Sequence, residues 1–194
     1  TVGDNEQRLL SQLKESFKRS DLVILTGGLG PTEDDITKEV CAKYFNMEME
    51  FHEQSWDKII EIHNKMNRKP TENNRKQAYF PKGSLILPNK YGTAPGCIME
   101  KDKKTIILMP GPPKEMKPMF DNYVKPFLLK DNKNILKSKV LRIIGMGESK
   151  IENDLLDLID KQINPTIATY AKDGECTVRI TDKKKNEKEV ESLI

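Results

Sequence analysis

Hydrophobic and polar residues follow two kinds of spacing along this chain, one typical of helices and one typical of strands. Apolar side chains recur at helical spacing over residues 9–17, with Asp4 as the expected N-cap of that helix, and again over 52–68. Between these segments, a continuous apolar run at 22–26 has the length of a buried strand. The first part of the chain is therefore predicted to alternate helix and strand.

Further short apolar runs predict strands at 84–87, 97–99 and 105–109, the last two joined by a charged turn. The run at 105–109 leads into a loop rich in proline and glycine, and the pattern is then helical over 115–129, with a break expected at Pro126. A strand, a glycine- or proline-rich loop and a helix thus occur twice. In open α/β sheets such loops meet at the carboxyl ends of the strands, where ligands bind.

The last part of the chain predicts a smaller unit. After a polar linker near 131–137, a strand is expected at 140–144, a helix over 149–163 and a strand at 175–180. A charged turn and a final helix are expected within 182–194. This order of elements is typical of an α+β unit.

Composition narrows the class of protein. The 194 residues are 36% hydrophobic and 32% charged, and 33 basic against 30 acidic residues give a net charge of +3, which makes nucleic acid an unlikely partner. No apolar run reaches membrane-spanning length and no signal segment opens the chain, so we expect a cytoplasmic protein without a membrane partner. The cysteines Cys41, Cys97 and Cys176 lie far apart, which fits reduced, buried thiols better than disulfides or zinc.

The loop after the first predicted strand carries the most informative residues. Three glycines lie within 27–30, and glycine lets a ligand approach the backbone closely, while free N–H groups at a helix start favour phosphate. The loop matches neither the dinucleotide fingerprint nor the P-loop. Glu33, Asp34 and Asp35 place carboxylates where phosphate would lie, so we expect a divalent cation to balance them.

A simpler interpretation of the same loop is purely structural. Thr32 and Asp35 have the spacing of a capping box, in which Thr32 would begin a helix. Capping explains those two residues, but it requires neither two adjacent glycines nor both Asp34 and Asp35. The functional interpretation is therefore preferred.

Three other segments allow both a structural and a functional interpretation. The segment 92–96, which includes Thr93, is either a turn or a loop that leaves room for a ligand. The segment 110–113 is either a rigid strand exit or a second ligand loop, with Glu115 in the next helical turn. Lys76 is either a solvated surface lysine or a phosphate contact.

Taken together, these segments resemble the CinA family of competence/damage-inducible proteins, within the wider group of MoaB/MogA-like molybdopterin-binding folds. The resemblance rests on four motifs in order: Thr26-Gly27-Gly28-Leu29-Gly30-Pro31-Thr32-x-Asp34-Asp35-x-Thr37, Asn74-x-Lys76-Gln77-Ala78, Gly92-Thr93-Ala94-Pro95-Gly96 and Pro110-Gly111-Pro112-Pro113-x-Glu115-Met116. The segments 145–149 and 165–171 resemble the KH-like domain of that family. The resemblance implies a three-layer α/β/α domain with a largely parallel sheet over 1–131, and a small α+β KH-like domain over 137–194.

The resemblance also implies an activity: metal-dependent hydrolysis of the pyrophosphate bond of ADP-ribose, giving AMP and ribose 5-phosphate, by a homodimer. The implied cofactor is Mg, Mn or Co, with K⁺ as a further ion. Asp35 matches an aspartate of the active site and Asp4 a second acidic position, so the expected catalytic residues are Asp35, Asp34 and Asp4, the first two as metal ligands. The expected substrate-binding residues are Thr26, Gly27, Gly28, Gly30, Thr32, Lys76, Gly92, Thr93, Gly111, Pro112 and Glu115.

Two other functions remain open, and the sequence differs from the family's pattern in two ways. The same pocket could serve a molybdopterin-binding or adenylylating protein of molybdenum-cofactor synthesis, or the chain could be a non-enzymatic nucleic-acid-binding or assembly module, although 145–148 is not a GXXG clamp. The family's first strand would precede Thr1, so the first domain is expected to be incomplete, and the second is expected to be incomplete because its final helix stops at Ile194 without a capping signal. No nicotinamide mononucleotide deamidase domain is expected in this sequence.

Overall fold

A computed structural model of the chain describes residues 1–130 and 135–184. The chain divides into two compact units, Thr1–Phe127 and Leu128–Ile194, which are described separately. The helix predicted near the end of the chain lies outside the described residues.

The first unit combines a four-stranded sheet, a two-stranded antiparallel sheet and five helices with one 3₁₀ and one π segment. Its elements are α1 (Glu6–Ser16), β1 (Leu22–Thr26), α2 (Thr37–Tyr44), β2 (Met49–Phe51), α3 (Glu53–Lys65), the 3₁₀ segment (Glu72–Ala78), β3 (Tyr79–Pro81), β4 (Leu85–Leu87), β5 (Gly96–Lys101), β6 (Lys104–Met109), α4 (Pro113–Met119), the π segment (Phe120–Val124) and α5 (Lys125–Leu129). The small antiparallel sheet of β2 and β3 was not predicted from the sequence.

The main sheet is mixed, with strand order β1-β6-β5-β4. β1 runs parallel to β6, whereas β6 with β5 and β5 with β4 are antiparallel. The α/β class is confirmed, but the expectation of a largely parallel sheet is wrong. The reason is local, because Asp102 and Lys103 both adopt left-handed backbone angles (φ 50° and 62°) and turn β5 directly into β6.

Helices cover both faces of this sheet, which gives the three layers expected. On one face, Leu13 and Phe17 of α1 and Phe45 of α2 share a hydrophobic core with inward side chains of β5 and β6. On the other face, α4 approaches so closely that a Cβ at Gly96 would lie 2.7 Å from Sδ of Met119. Alternate residues of β5 therefore face opposite helical layers.

Two predicted helix features are corrected. The N-cap of α1 is Asn5, whose Oδ1 accepts a hydrogen bond from the backbone N of Arg8 at 3.0 Å, and Asp4 is exposed one residue earlier. The helical stretch continues through Pro126 rather than breaking there, because α4, the π segment and α5 follow one another without a gap. The irregular part is the π segment just before it, over 120–124.

The second unit contains β7 (Ile135–Ile144), α6 (Glu148–Asp154), α7 (Leu156–Ile159), β8 (Thr166–Lys172) and β9 (Glu175–Lys184). Its strands form an antiparallel sheet in the order β7-β9-β8. Ile151 of α6 packs with Cys176 and Val178 of β9 in a small core. The α+β class expected for this unit agrees with the structure.

Three details of this unit differ from the prediction. The helix expected over 149–163 is two short helices, and the strand β8 was not predicted. The charged turn expected from Asp182 onward is instead the end of β9, because Asp182 is fully buried and its Oδ1 accepts a hydrogen bond from Nδ2 of Asn164 at 2.5 Å. This hydrogen bond offsets part of the cost of burying the carboxylate, whose Oδ2 has no hydrogen-bond partner among the described residues.

All three cysteines are free and buried, as predicted. Burial raises the pKa of the Cys97 thiol to about 12, and it raises the pKa of Cys41 as well, so both thiols stay protonated. Within 1–130 and 135–184, no helix has the length and apolar character that crossing a bilayer requires.

Candidate functional site

The parallel pairing of β1 with β6 brings two predicted ligand loops side by side. We name them the glycine loop (Thr26–Thr37) and the proline loop (Pro110–Pro113). The backbone N of Gly27 donates to the carbonyl of Met109 at 2.9 Å, and a Cβ at Gly111 would lie 3.5 Å from Cα of Gly27. The two loops therefore leave the same edge of the sheet in contact, as their positions after neighbouring strands predict.

The two adjacent glycines of the glycine loop are required by its backbone. Gly27 and Gly28 both have left-handed φ angles, 95° and 65°, which side chains disfavour. A Cβ at Gly28 would also lie 2.0 Å from Oγ1 of Thr37, whose backbone N donates to the Gly28 carbonyl at 3.2 Å. The loop thus folds back onto the first residue of α2, and this accounts for the Gly-Gly pair without any ligand.

Thr32 and Asp35 form a closed turn that precedes the helix. The backbone N and the Oγ1 of Thr32 donate to Oδ2 of Asp35 at 3.0 and 2.5 Å, and the N of Asp35 donates back to the Thr32 carbonyl at 3.1 Å. α2 begins only at Thr37, and its N-cap Ile36 makes no side-chain capping bond. The interpretation of Thr32 as the cap that starts the helix is therefore wrong. Only one of the two hydrogen bonds of a capping box is present, from the backbone N of Thr32 to the Asp35 carboxylate, because the N of Asp35 donates to the Thr32 carbonyl and not to its Oγ1.

The surroundings of Asp35 favour its charged form. Partial burial raises the pKa of this carboxyl, but hydrogen bonds from Thr32 and Gly30 together with the positive charge of Lys76 outweigh it and hold the pKa below its ordinary value. The close fit explains Gly30, because a Cβ there would lie 2.4 Å from Oδ2 of Asp35. Asp35 is thus a fixed anion at neutral pH.

Lys76 reaches the glycine loop from the 3₁₀ segment. Its Nζ donates to the carbonyl of Thr32 at 2.9 Å and lies 4.0 Å from Oε1 of Glu39. The lysine side chain is mostly buried, so it is not the solvated surface lysine of the structural interpretation, and its role as a phosphate contact stays a prediction. Its neighbour Gln77 is buried and donates from Nε2 to Oγ1 of Thr93 at 3.3 Å.

The segment 92–96 contacts Glu115, which lies in the helix that follows the proline loop. Nδ2 of Asn89 donates to Oε2 of Glu115 at 2.8 Å and to the carbonyl of Ala94 at 3.0 Å. Gly92 leaves the room that this carboxylate needs, since a Cβ there would lie 2.0 Å from Oε2 of Glu115. Pro112 precedes α4 as its N-cap, which sets Glu115 in the first helical turn.

The predicted carboxylate cluster is not assembled. Asp34 is exposed in the glycine loop and Asp4 is exposed before α1. Among the described residues, no group of three or more His, Cys, Asp or Glu side chains is placed to hold a metal ion. Asp34 and Asp35 suit the other mode of magnesium binding, in which one or two carboxylates act together with substrate phosphates and water.

Sequence reasoning missed Lys38, which fixes the segment that carries Lys76. Its buried Nζ donates to the carbonyls of Lys76, Gln77 and Tyr79 at 3.2, 2.9 and 2.8 Å and lies 4.4 Å from the ring centroid of Phe80. Burial lowers the pKa of Lys38 to about 8. In a lysine-rich chain nothing distinguishes such a lysine from a surface one, so the sequence carried no signal. Asn89 was missed for the same reason, within a run of turn-forming residues.

Comparison with known proteins agrees with these motifs. Residues 1–130 match the family described as "Probable molybdopterin binding domain", and residues 138–194 match "Damage-inducible protein CinA KH domain". The chain belongs to the CinA family. It is similar over its whole length to a competence-damage inducible protein of Clostridium tetani (59% identity over 193 residues) and to a CinA-like protein of Dictyoglomus thermophilum (52% over 194 residues). It covers 47% of each, so the chain spans about half the length of these relatives.

A solved structure supports the fold of this CinA-family chain. The crystal structure of CinA from Thermoplasma acidophilum, described as a protein of unknown function, matches with a TM-score of 0.56 and 32% identity. The match covers 63% of this chain and 71% of that one. The likeness extends to architecture and sequence together.

Proposed function

We propose that this CinA-family chain is part of a cytoplasmic, metal-dependent hydrolase that cleaves the pyrophosphate bond of ADP-ribose or a related nucleoside diphosphate compound. The observation that carries the proposal is the contact between the glycine and proline loops at one sheet edge, with the anion Asp35 and the cation Lys76 held beside them. Backbone amides and a lysine suit phosphate, and a fixed carboxylate suits a cation that accompanies it.

In this reaction water adds to one phosphorus and the bond from that phosphorus to the bridging oxygen breaks. The products are AMP and ribose 5-phosphate, with the proton of the attacking water released. A pKa held below the ordinary range makes Asp35 a weak proton acceptor, so we assign it to cation binding and water positioning, together with Asp34. When bound, the cation neutralises the phosphate oxygens. Lys76 places a further positive charge beside the glycine loop, and the backbone N–H groups of Gly28, Leu29 and Gly111 hold phosphate, because those of Gly27 and Gly30 already donate to the Met109 carbonyl and to Asp35.

The direct test is incubation of the folded chain with ADP-ribose and Mg²⁺, Mn²⁺ or Co²⁺, each with and without K⁺. Chromatography should show AMP and ribose 5-phosphate in equal amounts. Asp35→Asn keeps the shape of the side chain but removes its charge, and it should lower kcat/KM by about a hundredfold or more, as losses of single charge-stabilising groups do. A folded wild-type chain that forms no AMP with any of these metals contradicts the proposal.

The match of residues 1–130 to a family described as molybdopterin-binding favours a second candidate, binding or adenylylation of molybdopterin. It predicts adenylyl transfer from ATP to molybdopterin and no hydrolysis of ADP-ribose. Assays of both reactions on one preparation separate the two candidates.

A further inference from the structure

A cavity of about 820 Å³ lies between α3 and the segment that runs from β4 to β5. Such a volume is typical of small-molecule sites. Its apolar wall includes Ile59 and Ile62 of α3 and Ile86 and Pro95 of the facing segment. No residue of this wall belongs to the glycine or proline loop.

The cavity is linked to the proposed site through the residues at one end of it. Asn89, Gly92 and Thr93 line the cavity. Asn89 holds Glu115 of α4, and Thr93 accepts a hydrogen bond from Gln77, the neighbour of Lys76. The same short segment therefore contacts both sides of the phosphate site and forms one wall of the cavity.

The polar groups of the cavity suit the edge of an anionic heterocyclic ligand. His52 lines the cavity, and its Nδ1 accepts from the backbone N of Ser55 at 3.2 Å, so the neutral ring carries its proton on Nε2 as a donor. The lining residues that the structure describes include two lysines, Lys58 and Lys90, and no carboxylate. Lys58 already pairs with Glu61 at 2.6 Å, which leaves Lys90 as the more available cation.

We propose that this cavity binds the planar nitrogen heterocycle of the substrate, while the pyrophosphate lies at the glycine loop. The inference rests on the proposed function and assigns the AMP half of ADP-ribose to the cavity between α3 and the β4–β5 segment. Branched aliphatic side chains pack against the faces of a planar ring, and His52 donates to its edge. A purine and a pterin share this chemistry, so the experiment includes both.

The test uses Ile62→Trp, which fills part of the cavity from a half-buried position, with Asn64→Trp as its control. Asn64 is exposed on the same helix and does not line the cavity. Binding of AMP, ribose 5-phosphate and a soluble pterin is measured by calorimetry, and hydrolysis of ADP-ribose by chromatography. For Ile62→Trp we expect AMP affinity to fall and KM to rise by about tenfold or more, with kcat within about twofold, since a blocked apolar pocket acts on binding of the ring. Ribose 5-phosphate binding should not change, and Asn64→Trp should match wild type.

A second variant, at an exposed position, tests the cavity even if Ile62→Trp fails to fold. Lys90 is exposed, so Lys90→Glu should leave the melting temperature unchanged while it weakens AMP binding by charge repulsion at the cavity. If both cavity variants bind AMP as wild type does, or if Asn64→Trp loses as much affinity as Ile62→Trp, the inference is overturned.

The remaining outcomes separate this inference from the function on which it rests. Hydrolysis of ADP-ribose by wild type and Ile62→Trp with equal kinetics overturns the cavity assignment and leaves the proposed function standing. Binding of the pterin but not AMP, lost in Ile62→Trp, supports the cavity as a heterocycle site and contradicts the proposed hydrolase. A folded wild type that binds neither ring overturns the cavity assignment as well.

Discussion

Thr32 donates two hydrogen bonds to one carboxylate oxygen of Asp35, from Oγ1 at 2.5 Å and from the backbone N at 3.0 Å. Both residues lie in a turn that ends before α2 begins, so these bonds contribute nothing to the helix start. They orient the carboxylate and keep it ionised. The same Thr32 accepts from Lys76 through its carbonyl, which makes it the shared partner of the two charges at the site.

Thr32→Val tests this relationship without changing the size of the side chain. Loss of the hydroxyl donor should raise the pKa of Asp35 toward its ordinary value of 3.8. Because the folded-state pKa is depressed, the stability that the carboxylate contributes is present above pH 3.8 and is lost as the pH falls through the folded pKa. In Thr32→Val this loss should be smaller and should be complete at a higher pH, because the folded-state pKa lies closer to 3.8. Titration of the Asp35 carboxyl carbon by NMR measures the shift, Thr32→Ser is the control that keeps the hydroxyl, and equal titration curves for Thr32→Val and wild type contradict the assignment.

Lys76 gives a second prediction, since its role is to supply a charge at the phosphate site. Lys76→Met should lower kcat/KM for ADP-ribose by about tenfold to a hundredfold and reduce the dependence of KM on ionic strength, because the attraction it removes is screened by salt. Lys76→Arg keeps the charge and should retain most of the activity. Steady-state kinetics at two salt concentrations provide the measurement. A Lys76→Met enzyme with wild-type kinetics would show that this lysine only supports the loop.

The convergence of the loops was predictable, and so was the antiparallel pairing of β5 with β6, whereas the largely parallel sheet was implied by the family resemblance alone. A strand followed by a glycine- or proline-rich loop and a helix predicts a shared sheet edge, and Gly27 does lie against Gly111. The turn predicted between the strands at 97–99 and 105–109 is too short for a crossover to a parallel strand, and Asp102 and Lys103 turn the chain there.

The buried polar side chains that support the site were not predicted from the sequence. Lys38, Gln77 and Asn89 are polar residues that are buried because each finds backbone or side-chain partners far along the chain. Their partners are set by tertiary packing, so spacing within the sequence does not reveal them. The converse holds for Asp4 and Asp34, which a motif marks as functional but which the fold leaves exposed.

Gly92 offers a prediction that separates function from folding. In Gly92→Ala the new Cβ would lie 2.0 Å from Oε2 of Glu115, and this flexible side chain, rather than the backbone, has to move. We expect the hydrogen bond from Asn89 to Glu115 to break and hydrolysis to fall, with a melting temperature within about 4 °C of wild type, equivalent to about 1 kcal/mol or less. Gly96→Ala is the contrasting variant, since its Cβ would lie 2.3 Å from the Leu108 carbonyl and should destabilise the fold itself. Similar melting temperatures for the two variants would contradict this distinction.

Lys38 gives a prediction about stability and pH. Its ammonium loses a proton at about pH 8 in the folded chain and at about 10.5 when unfolded, because burial disfavours the charge. Between these values the unfolded chain binds more protons, so the free energy of unfolding of wild type should rise with pH relative to Lys38→Met, by about 3 kcal/mol in all. At pH 7 the variant should be less stable by about 3 kcal/mol, since three carbonyls lose their donor.

Urea unfolding from pH 7 to 10.5 measures this dependence on Lys38, with the fluorescence of Trp56 as the signal. Trp56 is the only tryptophan of the chain and packs beside Phe51 in the first unit, so it reports unfolding of the unit that contains Lys38. Lys14→Met, which removes an exposed lysine of α1, controls for the loss of one positive charge. A difference between wild type and Lys38→Met that stays constant across this pH range would contradict the prediction, because it would show that the three carbonyl contacts offset the desolvation of the ammonium.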